Sequence, residues 1–237
     1  MSILNRIAIN GLLGIVIVSA AGSVIARGGR MATVSTDTTT VTDAVVVLDY
    51  NEQTHLAFMR EEEKLARDVY MKLSGMYPDH PIFGKIDDSE QRHTDAVRAM
   101  IEKYGLEDPN TNDNVGVYTG EDYGWYFTEK YQLLLERASI GELDALYVGA
   151  FIEELDMMDI RQCPQVIVET DNGINDVTEC GQVYTDNTDV ANLYASLLDG
   201  SDSHLEAYVK NIEQYIGVGN YQAQVLPQEQ VDEILGR

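Results

Sequence analysis

The chain has 237 residues, with 40 Asp and Glu against 16 Lys and Arg and a formal net charge of −24. That balance excludes a nucleic-acid partner, which is bound through a basic footprint that releases phosphate counterions; it suits an exposed or halotolerant setting, or a site that collects cations. With 44% hydrophobic residues, the chain can bury a core of ordinary domain size, which excludes disorder of the whole.

At the N-terminus, Arg6 precedes an uncharged stretch from Ile7 to Ile25 rich in Ile, Val, Leu, Ala and Gly. Residues 1–26 read as a secretory signal, with Val24, Ile25 and Ala26 before Arg27 as the cleavage region. The alternative is a membrane anchor, since the stretch approaches the ~20 residues that cross a bilayer. On either reading the body is exported, to be secreted, periplasmic or at the cell surface, and meets a membrane only through this segment if it stays uncleaved. Residues 27–47 are rich in Thr, Ser and Val and read as a linker; a strand pairing with another chain is the competing reading.

Residues 48–217 carry helical periodicity. From Glu52 to about Leu73 the apolar positions Leu56, Met59, Ala66, Tyr70 and Leu73 share one face, and Pro78 and Pro81 open the connection that follows. A second helix is expected from about Asp87 to Tyr104, stopped by Gly105. After a polar loop comes an aromatic patch of Tyr123, Trp125, Tyr126, Phe127 and Tyr131. It lies on or beside a short helix from Trp125 to Arg137 packed across the others, as core or lid.

A third long helix starts near Ser139 or Gly141 and runs to about Gln162, with Leu143, Leu146, Ala150, Met157 and Ile160 on its inner face. Cys163 and Cys180 then bracket a polar segment without further Cys or His, so an oxidising compartment favours a disulfide over a metal site. The fourth long helix spans about Asp189 to Tyr215 and ends at Gly217 and Gly219. Residues 218–237 form a C-terminal extension with an amphipathic turn of helix. Four long helices and few strand signals predict an all-α bundle.

Glu90 and His93 form an ExxH motif, which places a carboxylate and an imidazole on one helical face where both can reach one metal. Glu63 falls among the apolar face positions of the first helix, where an unpaired charge costs several kcal/mol. Glu153 repeats that arrangement on the third helix, and His204 precedes the inward-facing Leu205 and Tyr208 on the fourth. Any one of these could be a salt-bridging or surface group beside neighbours such as Glu61, Glu62, Arg67 and Glu154. Four helices each directing such a residue inward point to a metal.

These segments also resemble a family. REEEKLARDVY at 60–70, SEQRHTDAV at 89–97, GAFIEELDMMDI at 149–160 and LLDGSDSHLEAYV at 197–209 are similar to the four helices of an uncharacterised bacterial and archaeal branch of the ferritin-like superfamily. The match spans roughly residues 48–216. Glu63, Ala66, Arg67 and Tyr70 match in spacing the first-helix signature of rubrerythrin-type di-iron proteins.

The resemblance implies a ferritin-like four-helix bundle with iron held by Glu63, Glu90, His93, Glu153 and His204, in a di-iron or mixed-metal site for which manganese and zinc stay open. Glu63 and Glu153 would bridge, Glu90 would be terminal, and Tyr70 would stand beside them as hydrogen-bond donor or radical sink. One departure is clear: the fourth helix carries Ser201 where a carboxylate belongs, and Asp156 is the candidate to compensate. The segment between the cysteines looks additional to the family's shorter connection. The function implied is metal binding with oxygen- or peroxide-dependent redox activity, as a ferroxidase or peroxide reductase. The alternative is a non-catalytic acidic module at the cell surface or outside the cell, with metal ions as partners and a homo-oligomer left open.

Overall fold

Residues 47–170 and 172–237 are described by a computed structural model; the expected export segment and the linker up to residue 46 lie outside them. Seven helices follow in order among the described residues: α1 Tyr50–Met76, α2 Ile82–Lys103, α3 Gly124–Ala138, α4 Glu142–Arg161, α5 Gln165–Glu169, α6 Thr188–Ile216 and α7 Gln228–Ile234. None of these residues forms a strand, and no described helix is long and apolar enough to cross a membrane.

Local chemistry sets the helix ends. Asp49 caps α1 through a capping box, accepting from the Glu52 amide while the Glu52 carboxylate takes the Asp49 amide. Asn187 caps α6 by accepting from the amides of Asp189 and Val190. At the far end, Gly217 takes a φ of 91°, which an L side chain adopts only with strain. α2 begins at Ile82 and not at Asp87, because Ile82, Phe83 and Ile86 bury their side chains in the core and carry the helical pattern back to Pro81. The short α5 was not expected between the cysteines; Ile167 anchors it in the core.

The four long helices pack in a ring, α1 on α2, α2 on α6, α6 on α4 and α4 on α1, with α3 lying against α1 and α4. α1 is buried on almost every side, from Met59 to Tyr70 without interruption. Its outer charges are satisfied by the segment between α2 and α3. Lys64 pairs with Asp68 at 2.6 Å and donates to the carbonyls of Asn114 and Val117. Arg60 donates to Thr94 and Asp108, and Glu61 accepts from the Gly120 amide. Glu61, Glu62, Arg67 and Glu154, named in the sequence as charged neighbours of the candidate ligands, are all buried. The polar loop that looked like a plain connection is a strap that pairs with Arg60, Glu61, Lys64 and Arg67.

Two cross-links fix the ends. Cys163 and Cys180 form the disulfide, with Cα atoms 4.7 Å apart. His55 on α1 reaches Tyr194 on α6 at 2.6 Å through Nδ1 and the Asp159 carbonyl on α4 at 2.8 Å through Nε2. Burial pulls its pKa down to about 4, so it spans three helices as a neutral ring. The C-terminal residues fold back on Glu154, whose carboxylate accepts from Tyr221 Oη and from the amides of Gln224, Val225 and Leu226 at 2.6–3.0 Å.

Candidate metal centre

Inside the ring, each long helix directs at least one donor to a common point. Glu63 comes from α1, Glu90 and His93 from successive turns of one face of α2, Glu153 from α4 and His204 from α6. All are buried except His93, which is nearly so. Their atoms gather into two triads, Glu63–Glu90–His93 and Glu90–Glu153–His204, each with one donor atom per residue lying within 4.8 Å of the others. Glu90, expected as a terminal group, belongs to both.

Nδ1 of His93 lies 3.0 Å from Glu90 Oε2 and 3.4 Å from Glu63 Oε2. Nδ1 of His204 lies 2.7 Å from Glu90 Oε1 and 3.4 Å from Glu153 Oε2. The two imidazoles stack with centroids 5.6 Å apart. Tyr70 donates to Glu153 Oε1 at 2.6 Å, which fixes that carboxylate from behind.

The electrostatics follow from crowding four acids and two imidazoles in a dry space. Burial pushes Glu63 up to about 7. Burial would also raise Glu90, but the two imidazoles outweigh it and hold Glu90 at about 2. Burial works against protonation of His93 and His204, yet the surrounding carboxylates prevail and hold them at about 12 and about 10. Burial raises Asp156, one turn along α4 from Glu153, well above the usual carboxylate range.

Both oxygens of Glu63, Oε1 of Glu90 and Nδ1 of His204 lack a hydrogen-bond partner of acceptable direction, close as they are. Buried polar atoms are rarely left so, and a site lined by them is high in energy unless a cation is bound. Carboxylate oxygens with imidazole nitrogens suit iron, manganese or zinc, so the residues present fit a metal.

Asp156 stands outside both triads. Ser201 donates to its Oδ2 at 2.6 Å, while Oδ1 has no partner. The serine in place of a carboxylate thus orients an aspartate from the facing helix. Gly200, which carries no signal in the sequence, makes room for His93: a Cβ there would stand 2.4 Å from His93 Cε1. Asp159 and Glu62 are further buried acids outside the expected ligand set. The three-residue spacing of Glu153, Asp156 and Asp159 was the signal for the former.

The comparisons with known proteins agree with one another. An uncharacterized protein of Methanocaldococcus jannaschii, MJ0754, is 39% identical over 184 residues, covering 78% of this chain and 86% of that protein. The crystal structure of that hypothetical protein superposes with a TM-score of 0.64 at 37% identity, over 80% of this chain and 94% of the other. The uncharacterized protein domain DUF2202 matches residues 52–185 and 165–237. The chain belongs to the DUF2202 family.

Proposed function

We propose that this is an exported ferritin-like protein that binds two metal ions, iron foremost, between its four long helices. The observation that carries the reading is the pair of triads sharing Glu90, in which Glu63, Glu90 and His204 offer buried atoms without a hydrogen-bond partner. In this reading Glu63, Glu90 and His93 would hold one metal and Glu90, Glu153 and His204 the other, with Asp156 kept nearby by Ser201. Export accords with the disulfide.

Iron bound there would supply electrons to oxygen or peroxide. The chain's own part is to hold Glu153 through the Tyr70 hydroxyl and to exclude bulk water. For a metal to be held there, His93 and His204 would have to release their protons to solvent.

One observation favours a second, non-catalytic reading: a fourth-helix carboxylate is missing and Ser201 is occupied with Asp156. Elemental analysis of the full chain after anaerobic iron loading, beside Glu90→Ala, tests the site. Near two equivalents in the wild type and none in the variant supports it; a metal-free wild type that folds equally well sinks it. Oxidant-dependent change in the iron spectrum then separates the redox protein from the metal-holding module.

A further inference from the structure

A second group of buried acids lies between the centre and the surface. Glu62 on α1 and Asp159 on α4 are both buried, and each carboxyl acts on the protonation of the other. Asp159 lines the floor of a surface pocket of about 350 Å³ walled by Trp125, Tyr126, Lys130 and Met158. Glu62 is buried, and its Oε2 has no partner. Lys130 lines the same pocket and its charge favours the ionised form of Asp159.

These acids continue inward. Helical geometry places Glu153, Asp156 and Asp159 three residues apart on one face of α4, in steps of about 4.5 Å. Glu62 lies within the electrostatic reach of Asp159, Asp156 and Glu63, and Asp156 within that of Glu63, Glu153 and Glu90. Asp156 also has an oxygen without a partner. The row therefore runs from pocket to centre with an unpartnered oxygen at Glu62 and at Asp156. A proton shared between Glu62 and Asp159 relieves their own repulsion, but it leaves Glu62 Oε2 and Asp156 Oδ1 unsatisfied.

We propose that Asp159 and Glu62 form a transient site for a divalent metal cation, the outer step of a carboxylate path through Asp156 to the centre. Lys130 is the counter-charge that the arriving cation displaces. The inference rests on the reading of the centre as a metal site and gives that site its route of loading.

The test uses the full metal-free chain mixed with Co²⁺, followed by visible absorbance for rate and by elemental analysis for final content. Asp159→Asn and Glu62→Gln keep shape and remove charge. Both are expected to fill to the wild-type content about tenfold more slowly, the low end of what charged clefts add to ion capture. Wild-type loading rates in both variants, with wild-type melting temperatures, overturn the proposal. Should one variant fail to fold, the other decides, since the two lie on different helices. A wild type that takes up no more Co²⁺ than Glu90→Ala removes the centre and the path together, whereas normal loading in all but Glu90→Ala removes the path alone.

Discussion

Gly200 on α6 and His93 on α2 are fitted to each other: a methyl group at position 200 would stand 2.4 Å from Cε1 and 2.5 Å from Nε2 of the imidazole. Such distances force the ring to move. Gly200→Ala is expected to turn His93 out of the Glu63 triad, at an overpacking cost of about 1–3 kcal/mol. Metal content measured after loading falls from two equivalents toward one, with the His204 half retained.

The metal-free protein should lose stability as pH rises, the reverse of ordinary acid denaturation. Burial holds Glu63 and Asp159 at about 7, whereas unfolded carboxylates titrate near 4. Between those values the folded chain keeps protons that the unfolded chain has lost, so stability declines through that window. His93 and His204 extend the decline. Their contribution is full below about 6.5 and is lost as pH climbs through about 10 and about 12. Glu90, held at about 2, acts in the opposite sense only below about 4.5. Thermal melting of the metal-free chain is expected at higher temperature at pH 5 than at pH 8, with the gap closed by added metal.

Ser201→Ala removes the hydroxyl that donates to Asp156 and leaves that carboxyl with no partner at all. The expected loss is about 1–3 kcal/mol, the cost of an unsatisfied buried group. Urea denaturation of the metal-free variant measures it.

Glu154 holds the C-terminal segment through four hydrogen bonds. Glu154→Ala orphans three backbone amides and a phenol together, which is expected to cost at least about 3 kcal/mol. Limited proteolysis should then cut beyond residue 217 well before the wild type is touched there.

Reduction of Cys163–Cys180, which lie 17 residues apart, is expected to lower stability by about 3 kcal/mol on the loop-entropy scale. Denaturant titration with and without reductant reads the difference.

The long helices were legible because Leu56, Met59, Ala66, Tyr70 and Leu73 repeat at helical spacing on α1, and the same holds on α4 and α6. The donors Glu63, Glu153 and His204 stood out as polar residues inside those apolar stripes. What periodicity could not convey was the burial of α1's other faces. Glu61, Glu62 and Arg67 carry no apolar pattern in the sequence; residues 106–123 return across the helix to partner Glu61 and Arg67, while Glu62 is buried beside the acids of α4. Gly84, together with Pro81 nearby, disguised the first turn of α2, and α5 was too short to announce itself. The sharing of Glu90 depends on how α2 and α6 face each other, a tertiary fact without a local signature.

His55 sets a contrast within the four histidines of the chain. His93 and His204 are surrounded by acids and hold their protons until something replaces them, whereas His55 is locked between Tyr194 and a backbone carbonyl and never charges near neutrality. Imidazole resonances should therefore fall into distinct classes: one frozen in a single neutral tautomer from pH 5 to 9, and two that change only when metal arrives. The silent ring becomes an internal reference, reporting whether the helices stay registered while the reactive pair is being filled or emptied.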